Sequence, residues 1–241
     1  IVVVAGNFVK KDIFKKISSA FDPIKKGNRK KFAKAETFQK EARVKIINKK
    51  TDQTHLALAI RAYDMYDDKR YALGLLSILL GGNTSSRLFM DIREKLGLAY
   101  YVYSWADQLM DCGYLGVVAG VTHSNLETVL EKIISICSKI KNGDITQNDM
   151  DFAKSYLRGQ TALRFEASDE IAHFVAGQEL FYNEIKQPAD ILKMIEAVKR
   201  EDVLSVAEEL FKPKNFSLSI IGKHKDVEKI KEFYKKRLAN I

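Results

Sequence analysis

Apolar positions along this chain follow two rhythms. A period of two runs through residues 41–48, where Val44 and Ile46 alternate with Arg43 and Lys45, and through 54–63, where Leu56, Leu58, Ile60 and Ala62 share a face; both read as strands. Residues 99–106 and 114–121 read as a strand hairpin turning through Met110-Asp111-Cys112-Gly113. A helical period predicts a helix over 68–80, capped by Asp67 or Asp68 and stopped at Gly81-Gly82. Ser85 or Ser86 is expected to cap a short helix reaching Lys95, with Gly97 as its break. Helices follow over 125–141, 147–165, 168–183 and 200–211, then a β-branched run over 216–221. The order predicts an α+β fold: a two-layer domain with a mainly antiparallel sheet packed by helices.

The two ends of the chain repeat each other. Residues 216–221 lead into Gly222 and a helix carrying Val227, Ile230, Phe233 and Tyr234. Ile1 to Ala5 leads into Gly6 and a helix carrying Ile13, Phe14, Ile17 and Phe21. Aligned at an offset of 216, Gly6 meets Gly222, Phe14 meets Ile230 and Ile17 meets Phe233. Strand-glycine-helix recurring in this way predicts that residues 1–22 are the closing unit of a preceding homologous domain, 23–40 a linker, and 41–241 the domain proper. The start at Ile-Val-Val-Val, without Met or a charged leader, reads as a piece of a longer tandem protein.

Charge adds to this picture mainly through its position. The formal excess of +9 sits entirely in residues 25–50, which hold eleven basic residues against Glu36 and Glu41. With only Phe32 and Phe38 interleaved among residues 25–40, the stretch reads as a solvated connector rather than a nucleic-acid reader. The longest apolar run, 75–80, is far short of a membrane span, so no membrane partner is expected. Cys112 and Cys137 lack metal-ligand spacing and read as buried free thiols, which leans towards a reducing, cytoplasmic compartment.

The cheap signs of catalysis are missing. His55, His123, His173 and His224 are far apart, and none has a His or Glu at zinc-binding helical spacing. No nucleophile elbow and no phosphate loop occurs. His123 with Glu127 reads as a cap contact at a helix start, and the pairs Asp67-Asp68, Asp149-Asp151 and Glu208-Glu209 read as caps and solvated faces. One pair remains: Arg93 and Tyr100, seven residues apart across Gly97. A guanidinium and a phenol can converge on a carbonyl oxygen and steady the oxyanion formed when water attacks it. The competing reading makes Arg93 a helix C-terminal cation and Tyr100, Tyr101, Tyr103 and Trp105 a packed cross-strand group.

The segment Leu80-Gly81-Gly82-Asn83-Thr84-Ser85-Ser86-Arg87-Leu88-Phe89, with Arg93-Glu94-Lys95-Leu96-Gly97-Leu98-Ala99-Tyr100-Tyr101, resembles the signature of the second, non-catalytic domain of M16 metallopeptidases. That family includes mitochondrial processing peptidase, pitrilysin and insulin-degrading enzyme. The resemblance implies the metallohydrolase fold of processing peptidase and a clamshell of homologous domains around a peptide. Zinc, on an H-x-x-E-H motif plus a distant Glu, would belong to a catalytic domain on the same chain or a partner subunit; none is expected here. It also implies that Arg93 and Tyr100 bind the substrate backbone and complete the active site. Gly81, Gly82 and Asn83 match a glycine-rich substrate-handling loop that is longer in processing-peptidase relatives. The expected partners are a peptide and the catalytic domain, within a homodimer or heterodimer. The alternative reading is an M16-like scaffold subunit that never cleaves.

Overall fold

Side chains that alternate along five strands leave one sheet face apolar, and the helical stripes cover it. The computed structural model describes residues 1–25, 27–28, 32–182 and 184–241. The strands are β1 (Arg43–Asn48), β2 (Thr54–Ala62), β3 (Ala99–Gln108), β4 (Gly113–Val121) and β5 (Phe216–Gly222). Their spatial order is β1-β5-β2-β4-β3, with β1 and β5 parallel and every other pair antiparallel. The closing strand therefore inserts between the first two. Leu56, Leu58 and Ile60 of β2, Leu115, Val117 and Ala119 of β4, and Phe216, Leu218 and Ile220 of β5 all point into one core.

The helices are α1 (Lys10–Phe21), α2 (Arg70–Gly81), α3 (Leu126–Lys141), α4 (Gln147–Arg164), α5 (Ser168–Phe181), α6 (Pro188–Ala197), α7 (Arg200–Leu210) and α8 (Val227–Leu238). Against the core face, α2 packs on β3, α7 on β2 and α8 on β1. Their stripes are dry: Leu73, Leu76 and Leu80 of α2 and Val129, Ile133, Cys137 and Ile140 of α3 are fully buried. The α+β expectation holds, with one parallel pair that comes from the inserted closing strand.

Several local expectations change. α6 was not foreseen, although Pro188 at its first turn and a reciprocal cap between Gln187 and Asp190 announce it. α5 ends at Phe181, and Asn183 lies outside the described residues, as do 26 and 29–31 of the basic linker. Before α2 it is Asp67 that accepts a bond, from the Lys69 N–H at 2.8 Å. Neither Ser85 nor Ser86 caps the following helix with its side chain, because the Ser86 hydroxyl turns back to the Asn83 carbonyl at 2.5 Å. Cys137 is buried as expected, and burial pushes its thiol up to about 12; Cys112 is only partly buried. No helix among the described residues is long and apolar enough to cross a membrane.

The linker is more than a solvated connector at its far end. Gln39 is buried, and its amide donates to the carbonyls of Lys214 at 2.7 Å and Phe216 at 3.1 Å. Its Oε1 accepts from Arg61 and Ser217 at 3.2 and 3.3 Å. All of its hydrogen-bonding capacity is thus met by β2, β5 and the turn that leads into β5, which pins the chain where it enters the domain. At the other extreme, residues 1–5 pair with no strand of this sheet, and α1 buries none of its residues.

Candidate functional site

The helix that carries Arg93 is an unusual one. Phe89–Glu94 forms a π-helical turn in which the Lys95 N–H reaches the Met90 carbonyl at 2.9 Å. Such wide turns are held by packing on either side of them. Here the fully buried Leu88 and Ile92 supply that packing. Gly97 ends the turn at φ 60°, a left-handed conformation that a side chain would strain. From there Leu98 donates back to the Ile92 carbonyl at 2.9 Å and the chain enters β3.

Tyr100 stands at an irregularity of the sheet. Ala99 lies opposite Val121 and Tyr101 opposite Gly120, so Tyr100 is the extra residue of a β-bulge at the start of an edge strand. Bulges re-aim side chains, and Tyr100 remains 56% exposed. Arg93 is also exposed, with its guanidinium 5.0 Å from the centre of the Phe89 ring. Among the described residues neither Arg93 nor Tyr100 makes a side-chain hydrogen bond or an ion pair. Both donors are free.

The residues upstream are used differently. A Cβ on Gly81 would stand 2.7 Å from the Ser104 backbone nitrogen, so this glycine lets the end of α2 lie flat against β3. Gly82 is equally close to Ile78 of its own helix, and Asn83 turns its Oδ1 to the Ser85 N–H at 2.8 Å. Arg87 bridges Asp144 at 2.6 Å and Asp149 at 3.3 Å, joining the segment to the α3–α4 loop and the first turn of α4. Burial alone would raise the Asp149 carboxyl, but the Thr146 N–H and hydroxyl together with Arg87 outweigh it and hold the group below the usual carboxylate range.

Two features near this end of the sheet escaped the sequence. On the face away from the helices, His55 Nδ1 lies 2.9 Å from the Tyr101 hydroxyl, and the Tyr101 ring covers Gly120. Behind the sheet, Thr54 Oγ1 lies 2.7 Å from His123 Nδ1 and 2.8 Å from His224 Nε2. His123 Nε2 faces the Thr51 carbonyl at 3.0 Å, so in the neutral ring that nitrogen carries the proton. Thr54 then donates to His123 and accepts from His224. Burial first, and the neighbouring His123 second, lower the pKa of His224. His123 thus ties three loops together instead of capping through Glu127. These contacts join residues 70 and 170 positions apart or nearly so, which no local spacing reveals. His173 lies exposed on α5. Among the described residues no group of three or more His, Cys, Asp or Glu side chains is placed to hold a metal ion, and this two-histidine cluster does not fit zinc.

Comparison with known proteins supplies the family. Residues 1–157 match the family described as the peptidase M16 inactive domain. A protein of Streptomyces coelicolor described as an uncharacterized zinc protease is 33% identical over 234 residues, which is 94% of this chain and 50% of that protein. A solved protease from Helicobacter pylori superposes with a TM-score of 0.80 at 24% identity, covering 90% of this chain and 53% of that one. A chain of complex III from Candida albicans gives a TM-score of 0.79 at 13% identity, over 97% and 57%. These two likenesses show the fold. The chain spans about half the length, or less, of the curated relatives it matches. It belongs to the peptidase M16 inactive domain family.

Proposed function

We propose that this chain is the substrate-holding half of a zinc-dependent peptidase whose metal sits on a homologous domain outside it. The observation that carries the reading is the freedom of Arg93 and Tyr100. Two strong donors are presented on either side of a fixed glycine turn, with no hydrogen-bond or ion-pair partner among the described residues, while Arg87 in the same segment bridges two aspartates. Leaving a guanidinium and a phenol so placed suits groups that complete their hydrogen bonds with a ligand. Their role is to take the carbonyl oxygen of a peptide, hold it in register, and favour the negative charge it acquires under attack by water. Gly81, Gly82 and Asn83 shape the turn that follows α2, with Gly81 close against β3 and Gly82 against α2, which supports a positioning role towards substrate.

The test is turnover by the two-domain protein. Arg93→Ala and Tyr100→Phe should each lower kcat by about 10²–10³-fold if they act as oxyanion donors, with the melting temperature unchanged. Unchanged turnover in the double variant would leave the scaffold reading in its place.

The same proposal gives residues 1–22 to the preceding domain. α8 and α1 share one apolar pattern, yet Ile230 is 6% exposed and its counterpart Phe14 is 69% exposed. A helix face of that kind requires a partner surface, and the sheet and helix that bury α8 have a homologous counterpart in the proposed catalytic domain. Phe14→Asp should therefore destabilise the two-domain protein by about 2–4 kcal/mol, in the range of core disruptions, and leave the 241-residue chain unaffected in a urea titration.

A further inference from the structure

The face of the sheet turned away from the helices carries cations at one edge and aromatic rings at the other. Lys45, Ser219, Ala57, Val118 and Tyr103 stand side by side across the five strands. Arg43, Ser217, Ala59, Gly116 and Trp105 form the next row. Serine, alanine, valine and glycine thus make the middle of the rows, with cations at the β1 side and aromatic rings at the β3 side. At strand spacings of about 4.8 Å, β1 and β3 lie roughly 19 Å apart.

The aromatic wall is built, not scattered. The rings of Tyr101, Tyr103 and Trp105 follow one another at centroid distances of 6.1 and 5.7 Å. They lean inward over β4: a Cβ on Gly116 would stand 2.7 Å from the Trp105 ring, and one on Gly120 2.4 Å from the Tyr101 ring. The leaning rings cover Gly116 and Gly120 and form an aromatic edge along β4. Tyr101 is fixed by His55, and the wall runs directly on from Tyr100.

Charge decides the occupant. Arg43 and Lys45 are exposed, and among the described residues neither has an ion-pair partner. The carboxylate at the aromatic end of this face, Asp107, is already taken by Trp105 Nε1 at 2.9 Å and by the Tyr114 hydroxyl. The face is therefore cationic and amphipathic, and its complement is an acidic chain with apolar side chains. We propose that this face is an extended subsite for acidic, leucine- or aromatic-bearing peptide segments, laid along the strands next to the ring wall that runs on from Tyr100. A peptide is favoured over a nucleic acid because Arg43 and Lys45 are the two exposed cations of these rows, too few to track a phosphate chain, while the ring wall suits apolar side chains. This deepens the substrate-holding reading and rests on it.

Trp105 is the single tryptophan of the chain, so its fluorescence reports on the wall directly. The 241-residue chain is titrated with a ten-residue peptide alternating glutamate and leucine, with its lysine-for-glutamate counterpart, and with oligothymidine. The glutamate peptide should give a saturable change that weakens between 50 and 500 mM salt, roughly as screening dictates, and the lysine peptide none. Lys45→Ala should weaken binding by about two- to fivefold, the worth of one exposed charge pair, and the Arg43→Glu, Lys45→Glu double variant should prefer the lysine peptide. An equal response to both peptides, no saturable change with the glutamate peptide, or a response to oligothymidine alone would overturn the proposal. So would a double variant that still prefers glutamate. The titration needs no turnover, so its failure leaves Arg93 and Tyr100 to be judged by kcat, and unchanged kcat in their variants leaves a positive titration standing.

Discussion

Residues 81–88 and residues 93–101 belong to one continuous segment, and the structure uses them in opposite ways. In the first half most residues are taken up by their neighbours: Gly81 against Ser104, Ser86 on Asn83, Arg87 on two aspartates, Leu88 in the core. In the second half Arg93 and Tyr100 are presented to solvent, on a π turn and a bulge. The first half is the mount that fixes where the second half points. An arginine in each half makes the contrast plain. Arg87 sits in a network that lowers a carboxyl pKa, whereas Arg93 rests on a single ring.

The contrast can be broken by substitutions on each side. Leu88→Ala should cost about 2–5 kcal/mol of stability, as large-to-small changes in a dry core do. It should also lower turnover of the two-domain protein by loosening the turn. A stability loss below about 1 kcal/mol would show that the mount is not packed as described. Next in size, Arg93→Ala and Tyr100→Phe should take about 2.7–4 kcal/mol from the transition state each and nothing measurable from the urea midpoint. Arg87→Ala should do the reverse, costing about 1 kcal/mol of stability for a partly exposed network and affecting kcat only through position. If Arg87→Ala proved catalytically worse than Arg93→Ala, the division of the segment would be wrong.

The smallest effect concerns pH. The folded state holds His224 neutral to a lower pH than the unfolded chain does, so between the ordinary histidine pKa and the lowered one the unfolded chain binds more protons. Stability contributed by the Thr54–His224 contact is therefore full above the unfolded pKa and is lost as pH falls through the folded one. The urea midpoint should drop between pH 7.5 and 5.5, and His224→Gln should drop less. An equal drop in both would remove the histidine cluster as its cause.

Much of the fold was legible because amphipathic elements announce themselves locally. The strands at 43–48, 54–62 and 216–222, and the stripes of α2 and α3, all follow from a two- or near-four-residue period. α6 carried a local signal too, in Pro188 and the Gln187–Asp190 cap, which a search for periodicity alone passes over. The insertion of β5 between β1 and β2 was not legible, since strand order depends on which edges meet in space. Gln39 was taken for part of a solvated linker because nothing in its neighbours shows that four distant carbonyl and side-chain partners await it.

By itself the sequence determined the element types, the family signature and the candidate pair Arg93 and Tyr100. Those are properties of short stretches, set by residue preference and spacing. Tertiary structure alone decided which arginine is free and which is bound. It also decided that Thr54, His123 and His224 meet, and that one sheet face stays open between cations and rings. Each of these depends on groups far apart in the chain being brought within a few ångströms, and that proximity is a consequence of packing, not of order along the chain.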